Sequence, residues 1–75
     1  MTYKQIRQAA NLSLAEIASF LGVGTRMVRY YESGDRIPSQ SVERLYGLVM
    51  AKDPAFRAWL RSKLKTRAAA RQLGD

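Results

Sequence analysis

Apolar residues recur along this chain at intervals of three and four, with polar positions between them, and nowhere does a sustained period of two mark a half-buried strand. The pattern predicts about five helices. Thr2 is placed to cap a first helix with Gln5 as its reciprocal partner, and Tyr3, Ile6 and Ala10 then share one face before Asn11 ends it. Ser13 and Glu16 repeat that capping arrangement ahead of a second stripe, Ile17, Ala18 and Leu21, which stops at Gly22. Only the tight Leu21 to Gly24 turn separates this from a third helix starting at Thr25. Val28 and Tyr31 face inward on it, and Ser33, Gly34 and Asp35 break it. Two helices joined by so short a turn must cross steeply.

Pro38 restarts order, and Val42, Leu45, Tyr46 and Val49 recur at helical spacing, so a fourth helix is expected from about Ser39 to Ala51. Asp53 followed by Pro54 is a strong cap and first-position pair for a fifth helix. Phe56, Trp59, Leu60 and Leu64 lie on one side of it, with Arg57, Arg61, Lys63 and Lys65 mostly on the other. Ala68 to Ala70 favour helix but offer little apolar surface, so the last ten residues are expected to fray or to order only on a partner. The expected architecture is all-α, a single domain over 1–75, with its core over 2–51 and a C-terminal helix over 53–73. At 75 residues the chain is near the lower limit for independent folding, and its core cannot be divided.

Charge changes the picture more than size does. Thirteen Lys and Arg against six Asp and Glu give a net charge of +7, which points to a polyanionic partner. The excess is uneven: Met1 to Phe56 holds seven basic and five acidic residues, whereas Arg57 to Asp75 holds six and one. Composition alone leaves open whether these side chains bind nucleic acid or merely solvate a helical surface. Without His or Cys, the common nucleophile and base pairs and zinc sites cannot be built, and the acidic residues form no metal-binding cluster. No enzyme, cofactor or small-molecule effector is expected. No leader segment, no cysteine and no apolar run of about 18 residues appears, so the expected compartment is the cytoplasm, with no membrane role.

The stretch from Leu12 to Ser39, LSLAEIASFLGVGTRMVRYYESGDRIPS, resembles the Cro/repressor-type (XRE-like) helix-turn-helix family, with the motif itself over 13–32. Ala18 is small where the third helix crosses, Gly22 permits a left-handed turn, and Ile17, Leu21, Val23, Val28 and Tyr31 fill the wedge between the helices. The resemblance covers about the first fifty residues and implies a lambda-repressor-like bundle. Within the family, Arg29 to Tyr31 with Thr25 and Arg26 ahead, and Asp53 with Pro54 beyond, resemble small phage-borne repressors of anti-CRISPR operons. A general phage or mobile-element repressor is the broader expectation.

A recognition helix entering the major groove presents its first and outward residues to base edges, here Thr25, Arg26, Arg29 and Tyr30. Arg26 leads, because a guanidinium can donate two hydrogen bonds to the O6 and N7 of one guanine, at a position where the family contacts bases. Thr25 either caps the helix with Gly24 or contacts a phosphate or thymine methyl. Tyr30 either touches DNA or packs on a neighbouring side chain. Ser13, Arg36, Ser39, Gln40 and Arg44 are candidate backbone contacts that should not specify sequence. Leu14 stands where family members often place a phosphate-holding glutamine, which leaves the backbone N–H groups of the second helix to bind phosphate. The resemblance also implies an ion pair between Arg7 and Glu32 that ties the first helix to the end of the recognition helix.

Such repressors act as symmetric dimers on inverted half-sites about 34 Å apart. Phe56, Trp59 and Leu60, with Leu64 beside them, are candidates for the homodimer surface, or else close the monomer core. Phe20 is either a contact patch or lies under the fifth helix. The alternative function is an antitoxin or protein-interaction module whose basic C-terminal segment binds an acidic protein. Against it, Lys65 to Asp75 offers only Leu73 and a few alanines as apolar anchors.

Overall fold

The computed structural model describes residues 1–62, and every regular element among them is helical. Helix α1 (Tyr3–Ala9) starts at a complete capping box: the Thr2 hydroxyl accepts from Gln5 N–H, and the Gln5 side chain accepts from Thr2 N–H at 2.8 Å. Asn11, at φ +58°, turns the chain out of α1. A second capping box, Ser13 with Glu16, opens α2 (Leu14–Leu21). Each box satisfies backbone donors that a helix start leaves without intrahelical partners, so both starts are marked by residues three apart in sequence.

Gly22 ends α2 at φ +75°, and its own N–H and that of Val23 both reach the Ala18 carbonyl, at 2.9 and 3.0 Å. A Cβ at Gly22 would meet nothing within 4 Å, so the left-handed backbone, not crowding, is what favours glycine here. Helix α3 (Thr25–Ser33) begins after Gly24 and α4 (Gln40–Ala51) after the Ser39 cap. A fifth helix, α5, begins at residue 54 and occupies 54–62 of the described chain. Asp53 Oδ1 accepts from Ala55 N–H at 2.9 Å at its start. The remainder of the expected 53–73 helix, with Leu64, Lys63 and Lys65, lies outside the described residues.

One core joins all five helices. Ile6 comes from α1, Ile17, Ala18 and Leu21 from α2, Val28 and Tyr31 from α3, and Val42, Tyr46 and Val49 from α4. Phe56 of α5 is buried in the same cluster, at 3% exposure, so the packing extends past the expected limit of residue 51. Phe56 therefore packs in the monomer core, one of the two roles open to it in the sequence, and leaves only a small part of its surface exposed. Phe20, half-buried, lies under α5, its ring 5.2 Å from Phe56 and 4.9 Å from Trp59 in edge-on geometry. That arrangement matches the quadrupoles of the rings and anchors α5 on α2.

Candidate nucleic-acid interface

Helix α3 divides its residues between core and solvent by their spacing. Val28 and Tyr31, three apart, are buried, whereas Thr25, Arg26 and Arg29 are exposed. Arg26 and Arg29 are three apart and Thr25 and Arg29 four apart, so the three share one outward face. Gly24 is the cap of α3 and gives it no side-chain bond, which places Thr25 at the first helical position instead of at the cap. The α3 start thus carries no carboxylate in its first turn, and its partial positive charge is not neutralised there.

Tyr30 is half-buried. The Arg36 guanidinium carbon stands 5.7 Å from its ring centroid, so the ring packs on a neighbouring side chain while keeping part of its surface exposed. Arg36, Ser39, Gln40 and Arg44 are all exposed. Ser39 accepts from Val42 N–H at 3.3 Å as the cap of α4, Gln40 is that helix's first residue, and Arg44 stands one turn further on. Gln40 and Arg44 therefore fall on one face of α4.

At the start of α2 the arrangement suits phosphate less well. The Ser13 hydroxyl oxygen accepts from Glu16 N–H at 3.1 Å, and Ser13 N–H donates to Glu16 Oε1 at 3.0 Å. The Glu16 carboxylate thus occupies Ser13 N–H and sets a negative charge in the first turn of α2, which works against an anion there. Leu14 is half-buried against the core, so the glutamine position of the family serves packing here.

Arg7 and Glu32, twenty-five positions apart in the chain, meet in a forked pair. Arg7 Nε donates to Glu32 Oε2 at 2.7 Å and a terminal nitrogen to Oε1 at 3.2 Å, while the other terminal nitrogen donates to the Leu12 carbonyl at 3.1 Å. The two side chains are 15% and 10% exposed. One guanidinium therefore ties α1, the α1 to α2 link and the last turn of α3 together, and its bond to Glu32 raises its pKa further. The negative charge nearest the end of α3 is thereby compensated inside the protein.

Behind this pair, Tyr46 is almost fully buried, and its hydroxyl has no hydrogen-bond partner among the described residues. Its ring packs 4.6 Å from that of Tyr3 and 6.5 Å from that of Tyr31. Burial, with the Glu32 charge adding to it, pushes its pKa up to about 12 from the ordinary 10.0. Because the folded chain holds this proton more tightly, the associated stability is complete below pH 10 and is lost as pH rises to 12. The loss amounts to roughly 2–3 kcal/mol. Tyr46→Phe is expected to remove that alkaline loss and, by deleting an unpaired buried hydroxyl, to stabilise the protein at pH 7 by about 1 kcal/mol. Urea unfolding of both proteins from pH 7 to 12 checks both effects; parallel profiles would refute the first.

Sequence reasoning missed the unpaired Tyr46 hydroxyl, the Arg7 bond to Leu12 O, and the Tyr3 hydroxyl's bond to Glu43 Oε1 at 3.4 Å, which joins α1 to α4. Local spacing carries no signal for any of them. Among the described residues no group of His, Cys, Asp and Glu is placed to hold a metal ion, and no helix is long and apolar enough to cross a membrane.

Residues 4–42, which run from α1 through α3 into α4 and make up more than half of the chain, match the helix-turn-helix family. The chain belongs to that family, in its Cro/repressor (XRE) form. It is a DNA-binding transcription regulator of the XRE type. No curated protein and no solved structure matches it.

Proposed function

We propose that the protein is a sequence-specific repressor of a phage or mobile-element operon, one that includes its own gene, and that it acts in the cytoplasm. In this reading α3 lies in the major groove of double-stranded DNA, with Thr25, Arg26, Arg29 and Tyr30 at base edges. Ser39, Gln40, Arg44 and Arg36 meet the sugar-phosphate backbone. Ser13 contributes its hydroxyl hydrogen, since its N–H and Oγ are engaged by Glu16 and its carbonyl by Ile17 N–H. The observation that carries the reading is the division of α3: an exposed basic face that begins at a helix start with no side-chain cap bond and no carboxylate in its first turn, on a helix whose other side is buried and whose last turn is held by Arg7.

A single α3 reads only a few base pairs, so the working form is a homodimer on an inverted repeat. Trp59 and Leu60, both half-buried, are the α5 residues with surface to contribute. Leu60 lines a cleft of about 270 Å³ with Ala9, Ala10, Lys52, Phe56 and Arg57. Sedimentation at micromolar concentration with the operator is expected to give two chains per duplex; one chain per duplex ends the dimer assignment.

The testing experiment is selection of bound duplexes from random DNA, followed by affinities at several salt concentrations. An inverted repeat with a guanine in each half-site is the expected product. Binding without sequence preference would transfer the function to a protein partner of the basic C-terminal segment.

A further inference from the structure

Arg36 is attached to Tyr30 at two points. Its backbone N–H donates to the Tyr30 carbonyl at 3.2 Å, across a loop in which Gly34 adopts φ +87°, and its guanidinium carbon lies 5.7 Å from the centroid of the Tyr30 ring. Ser33 tightens the same loop: its Oγ lies 3.1 Å from Tyr30 O and 2.8 Å from Asp35 Oδ2, and accepts from Asp35 N–H at 3.4 Å. A guanidinium within about 6 Å of a ring centroid is held by the ring's quadrupole, so the loop lays a cationic cover over an aromatic side chain of the recognition helix. Tyr30 is half-buried, in contrast to its exposed neighbour Arg29.

We propose that Arg36 is a positioning residue for Tyr30: it holds the ring before DNA arrives, and it thereby sets sequence preference at the base pair Tyr30 meets, beyond neutralising a phosphate. This rests on the operator-binding reading above and deepens it. A side chain already confined to its bound rotamer loses less freedom on association, and that gain is realised only at the base pair the ring fits. A lysine or arginine that touches phosphate alone acts otherwise, weakening all sequences alike when removed and lowering the salt slope by about one ion.

The test uses the full chain with Arg36→Ala, Tyr30→Ala and the double substitution, measured on the selected operator and on its single-base variants at several salt concentrations. Tyr30→Ala identifies the base pair concerned. Arg36→Ala is expected to reduce discrimination at that base pair by about two- to fivefold per half-site, the range a cation–π contact supports. It should leave the other positions unchanged and have no further effect on that base pair once Tyr30 is alanine. Uniform weakening with the preference intact overturns the inference, as does a Tyr30→Ala variant with unchanged preference. A wild-type chain that shows no sequence preference overturns the operator reading itself. A DNA-independent measurement separates the two: the Arg36 δ protons of the wild type should resonate upfield from the Tyr30 ring current and return to ordinary positions in Tyr30→Ala. Absence of that shift refutes the positioning contact whatever the DNA result.

Discussion

Arg26→Ala is expected to weaken binding to the selected operator by about 2–6 kcal/mol. A bidentate arginine to guanine contact contributes about 1–3 kcal/mol of base discrimination, and a dimer on an inverted repeat makes it twice. Arg26 is exposed near the start of α3 and takes part in no ion pair among the described residues, so its removal should change folding stability by less than about 0.5 kcal/mol. The loss should also be confined to sites that carry the guanine: replacing that base in the DNA should cost the wild type much and the variant little. Arg26→Lys separates charge from geometry, because lysine keeps the cation but not the planar fork, and the guanine preference should fall with it. Operator affinity within error of wild type in Arg26→Ala would remove this residue from the interface.

Arg7→Ala acts on the fold. It removes three donors at once, leaving the Glu32 carboxylate without its cation in a site where its side chain is 10% exposed, and leaving the Leu12 carbonyl without the bond from Arg7. Breaking a largely buried pair by deleting one partner costs about 3–4 kcal/mol, since the stranded charge keeps its desolvation cost. A domain this small holds only a little more than that in total, so a substantial unfolded fraction is expected at 37 °C. Replacing both members by apolar residues of similar volume, Arg7→Met with Glu32→Leu, should be far milder than Arg7→Ala, because no charge is then buried alone. Chemical denaturation of the single and double variants checks the order. An Arg7→Ala protein within 1 kcal/mol of wild type would show that the pair is solvated in practice.

The two substitutions divide the protein along a physical line. In the proposed reading Arg26 acts only when DNA is present, whereas the Arg7 fork to Glu32 holds the last turn of α3 against α1 with or without it. Arg36, over Tyr30, connects these roles, since it belongs to the loop that ends α3 and also covers one of that helix's outward side chains.

Much of the architecture was written into local spacing. Thr2 with Gln5 and Ser13 with Glu16 specify where α1 and α2 begin, and Gly22 and Gly34, at positive φ, specify where α2 and α3 end. These signals span three or four residues and need no tertiary partner to act. The inward residues Ile17, Val28 and Tyr46 follow from helical periodicity in the same way, and their burial is nearly complete. The outward set Thr25, Arg26 and Arg29 is the complement of that periodicity.

What tertiary structure decided lies between segments that only folding brings together. Phe56 could have served a partner or the core, and it is buried because Phe20 and Trp59 meet it edge-on and stacked. The Arg7 fork could be anticipated only by resemblance, since nothing local links positions twenty-five apart, and its third bond, to Leu12 O, was not anticipated at all. Tyr46 reads in sequence as an ordinary core residue, yet the packing of Tyr3 and Tyr31 around it and the nearby Glu32 charge leave its hydroxyl unpaired and its proton tightly held. Sequence by itself thus determined where the helices lie and which side of each is apolar, because those properties are set by backbone hydrogen bonding and a period of 3.6 residues. The partners of each polar and aromatic group depended on how the helices cross, which is a property of the assembled core.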